Sequence, residues 1–253
     1  MIKVQNLFFE YATNQPVFSD FNWQVNKGES WTILGPSGCG KSTLLYLLAG
    51  LQQPGSGSIL VDGETLLRPR PQSGLIIQDY GLLPWATVRE NVALGLDIRR
   101  FYGPDGTHAP LVSNIGEDDV NYWINQLGLY EQKDKYPGHI SGGQRQRCAI
   151  ARTLVLQPDL LLMDEPFSSL DAPTRENLQN LMIDLWDKHD LTMVTVTHSI
   201  EEAVILGENI LLLQTPPNKK ANILENASFG KKDIRSDPEY LHLCQILREQ
   251  LTN

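Results

Sequence analysis

Residues 31–51, WTILGPSGCGKSTLLYLLAGL, decide the fold of this chain. An apolar run leads into a glycine-rich turn, and an apolar helical pattern follows that turn directly. The turn, GPSGCGKST at 35–43, matches G-x-x-x-x-G-K-[ST], in which backbone N–H groups surround phosphate oxygens at the start of a helix. We expect a phosphate site rather than a glycine-rich turn with a chance lysine, because the required strand and helix both flank it. The predicted phosphate-binding residues are Gly35, Pro36, Ser37, Gly38, Cys39, Gly40, Lys41, Ser42 and Thr43.

A second stretch, LLLMDEP at 160–166, supplies carboxylates to the same site. In this kind of site Lys41 reaches the terminal phosphates, while the Ser42 hydroxyl takes a position on a magnesium ion. Asp164, at the end of an apolar run, is expected to join the magnesium shell, and Glu165 to orient or deprotonate an attacking water. An acidic pair after a strand is, taken alone, more often a solvated turn.

Two further polar residues, Gln78 and His198, also fall just beyond apolar runs. Ligands of open α/β sheets bind outside the carboxyl ends of the strands. We therefore expect these side chains to converge with Asp164 and Glu165 on one edge of one sheet.

Short apolar runs alternate with helical patterns along most of the chain, which predicts a layered α/β fold with a mainly parallel sheet. Together with the phosphate-loop motif at 35–43, this pattern resembles a P-loop NTPase core. The runs are WTILG (31–35), GLIIQ (74–78), LLLMDE (160–165), TMVTVTH (192–198) and NILLLQ (209–214). The first thirty residues are richer in aromatics and alternation, which suits an N-terminal antiparallel β subdomain.

One domain of 1–253 is expected to contain an inserted helical subdomain and a short C-terminal extension. The α/β core with its antiparallel subdomain takes 1–78 and 159–215, the helical subdomain 79–158, and the extension 216–253. Within the helical part, FYGPDGTHAPLVSN (101–114) is predicted to be a surface loop from its Gly, Pro and Asn content. The extension is predicted to add a short strand and a final helix, DPEYLHLCQILREQL.

The composition indicates the class of protein but not its activity. The chain is 41% hydrophobic and 20% charged, with a net charge of −9 that argues against a general nucleic-acid binder. It has no apolar run of the eighteen or so residues that a membrane helix needs, and its start does not resemble a secretory signal. We expect Cys39, Cys148 and Cys244 to be reduced thiols of a cytoplasmic protein, outside any disulfide framework or zinc site.

The stretch HISGGQRQRCAIA, at 139–151, opens a predicted helix with two adjacent glycines. Ser141 and Gln144 form a capping box, so the helix should begin near Gly142. Glycine is a poor helix former. Either the chain makes a tight turn here, or something must come very close to the bare backbone.

Taken together, the phosphate loop, Gln78, SGGQ, MDEP, SSLD (168–171) and His198 resemble ATP-binding-cassette ATPases in type and order, over nearly the whole chain. Two stretches, QDYGLLPWATVRENVALGL (78–96) and YPGHISGGQRQRCAIARTL (136–154), are most similar to the importer group for nitrate, sulfonate, bicarbonate and taurine. The resemblance implies that ATP and Mg²⁺ are bound, with Ser42, Gln78 and Asp164 at the metal. Glu165, His198 and Gln78 would then be the catalytic residues.

The same resemblance implies that Ser141, Gly142, Gly143 and Gln144 cap the γ-phosphate of ATP held by a second, antiparallel subunit. A helix end with unsatisfied N–H donors and no bulky side chain suits such an approach. Asp171 would lie across the interface between the two subunits.

Two aromatic residues have implied roles beside ordinary packing alternatives. Tyr11 matches the aromatic that stacks on adenine, or else it packs in the sheet. Trp85, in PWATVRENV, would face a groove that accepts a helix of a membrane subunit, or else it packs in the core.

The implied function is energy coupling in an importer. Two ATPase subunits, expected to be a homodimer, would dock on transmembrane permease subunits at the cytoplasmic face of the inner membrane, with an extracytoplasmic solute-binding protein as an indirect partner. An exporter subunit shares the same ATPase, as does a soluble ATP-gated clamp on DNA. The absence of sustained heptads and the acidic charge disfavour the clamp, and no nucleic-acid partner is expected. A phosphate-transferring kinase would need no SGGQ.

Overall fold

A computed structural model describes residues 1–111, 114–231 and 234–252 of the chain. In that part of the chain the strands are β1 (Ile2–Glu10), β2 (Pro16–Val25), β3 (Ser30–Leu34), β4 (Ser56–Val61), β5 (Glu64–Thr65), β6 (Ser73–Ile76), β7 (Leu160–Asp164), β8 (Thr192–Thr197), β9 (Asn209–Leu212) and β10 (Asn222–Glu225). The helices are α1 (Lys41–Leu48), α2 (Val88–Tyr102), α3 (Glu117–Gln126), α4 (Gly142–Leu154), α5 (Ala172–His189), α6 (Ile200–Leu206) and α7 (Pro238–Thr252).

The strands form two sheets, which confirms the predicted fold class. A six-stranded sheet has the order β10-β9-β3-β8-β7-β6, and all its pairings are parallel except that of the edge strand β10. A four-stranded antiparallel sheet has the order β2-β1-β4-β5. The five apolar runs predicted as strands are all strands of the parallel part.

The parallel sheet carries a hydrophobic core on each face. Every residue of β3, β7 and β8 is buried, which explains why their sequences are continuously apolar rather than alternating. Successive side chains of a strand point to opposite faces. Leu160 and Leu162 accordingly join the core with α1 and the antiparallel sheet, while Leu161 and Met163 join the core with the remaining helices.

The hairpin of β4 and β5 was missing from the predicted strands. Its turn consists of Asp62 and Gly63, both with positive φ (51° and 83°), flanked by the Val61–Glu64 pair. Asp-Gly between two short apolar runs is a hairpin signal, so the sequence did carry the information.

The elements of 79–158 are helical, although the subdomain boundaries stay a prediction. Helix α4 begins at Gly142 with the predicted capping box. Helix α2 begins after a second capping box, formed by Thr87 and Glu90, and continues to Tyr102. The predicted loop 101–114 was therefore wrong at its first two residues, and its residues 112–113 lie outside the described ones.

The tail adds β10 and α7, as predicted. Cys39, Cys148 and Cys244 are buried and free of disulfides. Among the residues that the structure describes, no helix combines the length and the apolar character needed to cross a bilayer.

Candidate functional site

The phosphate loop joins β3 to α1 and depends on its glycines. A Cβ at Gly35 would lie 2.5 Å from the Leu213 carbonyl oxygen and 2.7 Å from Cys39 Sγ. Gly40 has φ +106°, and a Cβ there would lie 2.5 Å from Val17 Cγ1. Both positions therefore exclude any larger residue, whereas Gly38, with φ +77°, faces open space.

Helix α1 presents its N-terminus to this loop without a side-chain cap. The first N–H groups of such a helix have no partner within it, and the helix dipole adds positive potential. Pro36, Ser37 and Gly38 are exposed beside it. The loop is thus open to an anion from solvent.

Lys41 lies within the loop with its charge already enclosed. Its side chain is buried, and Nζ donates to the carbonyl oxygens of Gly35 at 2.9 Å and Pro36 at 3.0 Å. An ammonium group has three donors, so one remains for a phosphate oxygen.

Asp164 ends β7 beside α1 and is buried. Ser42 Oγ donates to its Oδ1 at 3.0 Å, and Tyr46 OH donates to its Oδ2 at 3.0 Å. Because the Ser42 hydroxyl donates its hydrogen bond to Asp164, the lone pairs of Ser42 Oγ are free to bind a cation. Hydroxyl and carboxylate oxygens are the ligands that Mg²⁺ prefers, so this donor set fits the ion.

Glu165 and His198 meet at the same edge of the sheet. His198 Nδ1 lies 3.1 Å from Glu165 Oε2, an ion pair whenever the imidazole is protonated. Glu165 has φ 45°, and its backbone N–H donates to the Val196 carbonyl oxygen at 2.9 Å. Left-handed backbone in a residue other than glycine is strained and concentrates at functional sites.

Gln78 lies two residues beyond β6, which pairs in parallel with β7. Its side chain is exposed at the edge where Asp164 and Glu165 end their strand. The structure therefore brings Ser42 into contact with Asp164 and His198 into contact with Glu165. Lys41 bonds to backbone carbonyls of the phosphate loop, and the Gln78 side chain is exposed.

Tyr11 follows β1 and is 64% exposed, rather than packed in the sheet. Its hydroxyl lies 3.0 Å from Thr43 Oγ1, which ties it to the start of α1. Phe9 supports the ring edge-on at 5.0 Å between centroids. Trp85 is 73% exposed, so the core-packing alternative for that residue was wrong.

The SGGQ segment contains two hydrogen bonds between its own residues. Gln144 N donates to Ser141 Oγ at 3.2 Å, and Ser141 N donates to Gln144 Oε1 at 3.0 Å. A Cβ at Gly143 would lie 2.5 Å from Thr174 Cγ2, so this glycine is needed within the chain. A Cβ at Gly142 would have its nearest neighbour, Leu170 Cδ2, at 3.5 Å, an ordinary contact. Close packing within the subunit therefore explains Gly143, but it does not explain Gly142.

Asp171 caps the neighbouring helix α5, with its side chain accepting from Thr174 N at 3.3 Å. Hydrogen bonds from Thr174 lower the pKa of this exposed carboxyl. Asp171 is therefore a fixed negative charge on the same surface as the SGGQ segment.

Three residues of the site region escaped the sequence analysis. Tyr46 is four residues after Ser42, a helical spacing that was available in the sequence. Asn218 donates to the Cys39 carbonyl oxygen at 2.8 Å across 179 positions, which no local pattern indicates. Glu202 is buried behind the catalytic edge and accepts from Thr197 Oγ1 at 2.8 Å, and burial raises its pKa to about 6.

Comparison with known proteins gives consistent matches. A family model described as ABC transporter matches residues 18–168. The aliphatic sulfonates import ATP-binding protein SsuB of Bacillus cereus is 39% identical over 224 residues, covering 88% of this chain and 84% of that protein. The taurine import ATP-binding protein TauB of Pseudomonas aeruginosa is 38% identical over 251 residues, covering 96% and 91%. Among solved structures, the dimeric post-hydrolysis state of the ATP-binding cassette MJ0796 bound to ADP and Pi is 28% identical, with a TM-score of 0.72, and covers 89% and 98%.

Proposed function

Because the chain belongs to the ABC transporter family, we propose that this ATPase is the nucleotide-binding subunit of an importer for a small solute that is anionic or contains nitrogen or sulfur. The observation that carries the ATPase part is the contact of Asp164 and Glu165 with Ser42 and His198 beside the phosphate loop. The importer part is supported by relatives named for sulfonate and taurine import.

ATP binding uses the loop, α1 and Tyr11. The phosphates would lie against the N–H groups of residues 38–43, with the free Nζ donor of Lys41 on the terminal phosphates. The exposed ring of Tyr11 would stack on adenine, and its hydroxyl contact with Thr43 sets the distance between base and phosphate sites.

Mg²⁺ fits the oxygen donors at the end of β7. Ser42 would bind it through a lone pair, Asp164 would complete its shell, and Gln78 would approach from β6. When bound, Mg²⁺ neutralises charge on the phosphate oxygens.

Water activation falls to Glu165. Its strained backbone directs the carboxylate beyond the end of β7, where the carboxylate can accept a proton from a water aligned with the terminal phosphate. His198 restricts the rotation of that carboxylate through its Nδ1 contact and leaves Nε2 for a phosphate oxygen.

A second copy of the chain would complete each site. The N-terminus of α4 is partly exposed, and the side chains of Ser141 and Gln144 bond to each other's backbone N–H groups. Gly142 has no side chain there, and a Cβ would have its nearest neighbour at 3.5 Å. A phosphate held by a partner subunit can approach this bare backbone closely. The dimeric cassette among the structural relatives supports this arrangement.

Trp85 would bind the permease at the cytoplasmic face of the inner membrane. It is highly exposed and precedes the Thr87 cap of α2, so its indole is presented on a fixed helix start. Tryptophan is among the residues that most often dominate binding energy at protein interfaces.

The importer role is tested by affinity purification of the tagged chain from detergent-solubilised membranes of the cells that produce it. A multi-span membrane protein should co-purify with the wild type. Trp85→Ala should weaken the association about 30-fold or more, the effect of losing a hot-spot tryptophan. The same change should shift the free energy of unfolding by less than about 0.5 kcal/mol, because the side chain is mostly in water.

Phe101→Ala is the matched control, since Phe101 is 83% exposed near the other end of α2, about 20 Å away. It should co-purify like the wild type. Failure of the wild type to retain any membrane subunit would refute the importer role, and full retention by Trp85→Ala would refute the docking surface.

A further inference from the structure

Two hydroxyl groups on one face of α1 hold the Asp164 carboxylate from both sides. Ser42 Oγ donates to Oδ1 and Tyr46 OH donates to Oδ2, each at 3.0 Å. The two residues are four apart in the helix, so their side chains lie one turn apart on the same surface. In the part of the chain that the structure describes, each carboxylate oxygen has this one donor.

The Tyr46 hydroxyl has a single hydrogen to donate, and in this structure that hydrogen is directed to Oδ2 of Asp164.

Removing that hydroxyl would change the Ser42 contact as well. With Oδ2 left without a donor in a buried place, the carboxylate gains by turning toward other hydrogens, the Ser42 hydroxyl among them. The Ser42 lone pairs would then no longer be held in one direction. Phenylalanine fills the same space, so this effect separates from packing.

We propose that Tyr46 is a positioning residue of the magnesium site: its hydroxyl fixes the rotation of the Asp164 carboxylate, so that the Ser42 hydroxyl keeps donating to Oδ1 and its lone pairs stay directed toward the ion. The proposal rests on the proposed function, because it assumes that Ser42 and Asp164 hold Mg²⁺. Groups that orient metal ligands in this way contribute about 10–100-fold to metal affinity.

The test is the binding of a fluorescent ATP analogue, measured once with Mg²⁺ and once with EDTA. The ratio of the two affinities reports how strongly metal and nucleotide bind together, independently of turnover. Tyr46→Phe should lower this ratio about tenfold and leave the affinity in EDTA within about twofold of the wild type. Tyr240→Phe is the control, because Tyr240 is a buried tyrosine of α7, outside the phosphate loop, α1 and the end of β7, and it should leave the ratio unchanged.

A double variant locates the effect. In an Asp164→Asn background, adding Tyr46→Phe should change the ratio by less than about twofold, because the group that Tyr46 orients is already altered. An equal loss of affinity with and without Mg²⁺ would show a structural role and overturn the proposal. A ratio in Tyr46→Phe equal to the wild-type ratio would overturn it too. If wild-type binding is not strengthened by Mg²⁺ at all, the magnesium assignment itself fails, a result distinguishable from the other two.

Discussion

Gly142→Ala should make the subunit more stable and less active. The new Cβ would meet Leu170 Cδ2 at 3.5 Å, an ordinary contact, and the φ of Gly142 does not lie in the left-handed region. Alanine therefore fits the folded subunit and reduces the freedom of the unfolded chain. If a partner's phosphate approaches this backbone, however, the methyl group occupies the space that the phosphate needs.

Both magnitudes can be estimated. Glycine to alanine at a compatible position stabilises a protein by about 0.4–1 kcal/mol, and for a chain of this size that raises Tm by about 1–4 °C. A methyl group that holds the phosphate about 1 Å farther away removes a charge-assisted hydrogen bond worth about 1.5–3 kcal/mol at each site. With two sites per dimer, ATP-dependent association should weaken by a factor of about 10²–10⁴.

The assay combines thermal unfolding of the subunit with sedimentation in ATP and with ATP turnover. Gly138→Ala is the matched control, because a Cβ there meets nothing within 4 Å and the residue lies outside SGGQ. It should show a similar gain in Tm with unchanged association. Wild-type association and turnover in Gly142→Ala would show that no phosphate approaches this glycine, and the two-subunit site would be refuted.

Glu165→Gln should bind ATP normally and lose about 10²–10⁴-fold in turnover, since the amide cannot accept the proton from water. The variant should then persist as an ATP-bound dimer on a sizing column. Normal hydrolysis by the variant would show that Glu165 is not the base. Glu202→Gln tests the buried acid behind the catalytic edge. Burial raises the pKa of Glu202 from 4.5 to about 6, and Arg175 and His198 oppose this rise only in part. The folded protein therefore binds the Glu202 proton more tightly than the unfolded chain does. It loses stability as the pH rises from about 4.5 to about 6. The glutamine variant escapes that loss, so its unfolding free energy in urea, relative to wild type, should improve by about 2 kcal/mol between about pH 4.5 and pH 8. A pH-independent difference would show that Glu202 does not titrate in this range.

Local sequence patterns predicted the elements whose structure depends on neighbouring residues in the chain. The strands around Trp31 and Leu162 are continuously apolar because both faces are covered, and the run itself records that burial. The start of α4 is set by the capping box of Ser141 and Gln144. These two residues are only three positions apart, so the sequence alone indicates the cap.

Contacts between distant segments could not be predicted in this way. Asn218 holds the Cys39 carbonyl from a segment 179 residues away, and the left-handed backbone of Glu165 is fixed by a hydrogen bond to Val196 on another strand. Tyr46 is different. Its spacing from Ser42 was visible and Ser42 was already expected near Asp164, but no local pattern indicates that a phenol hydroxyl would bond the second carboxylate oxygen.

The reciprocal bonds between Ser141 and Gln144 have a consequence for the timing of a transport cycle. In a solitary subunit the Ser141 hydroxyl and the Gln144 N–H are already paired, while the N–H groups of Gly142 and Gly143 have no partner within the helix. If a partner's nucleotide recruits the serine hydroxyl, as we propose, the bond to the Gln144 N–H breaks and re-forms once the nucleotide leaves. The resting geometry of the subunit would then favour separation after each round.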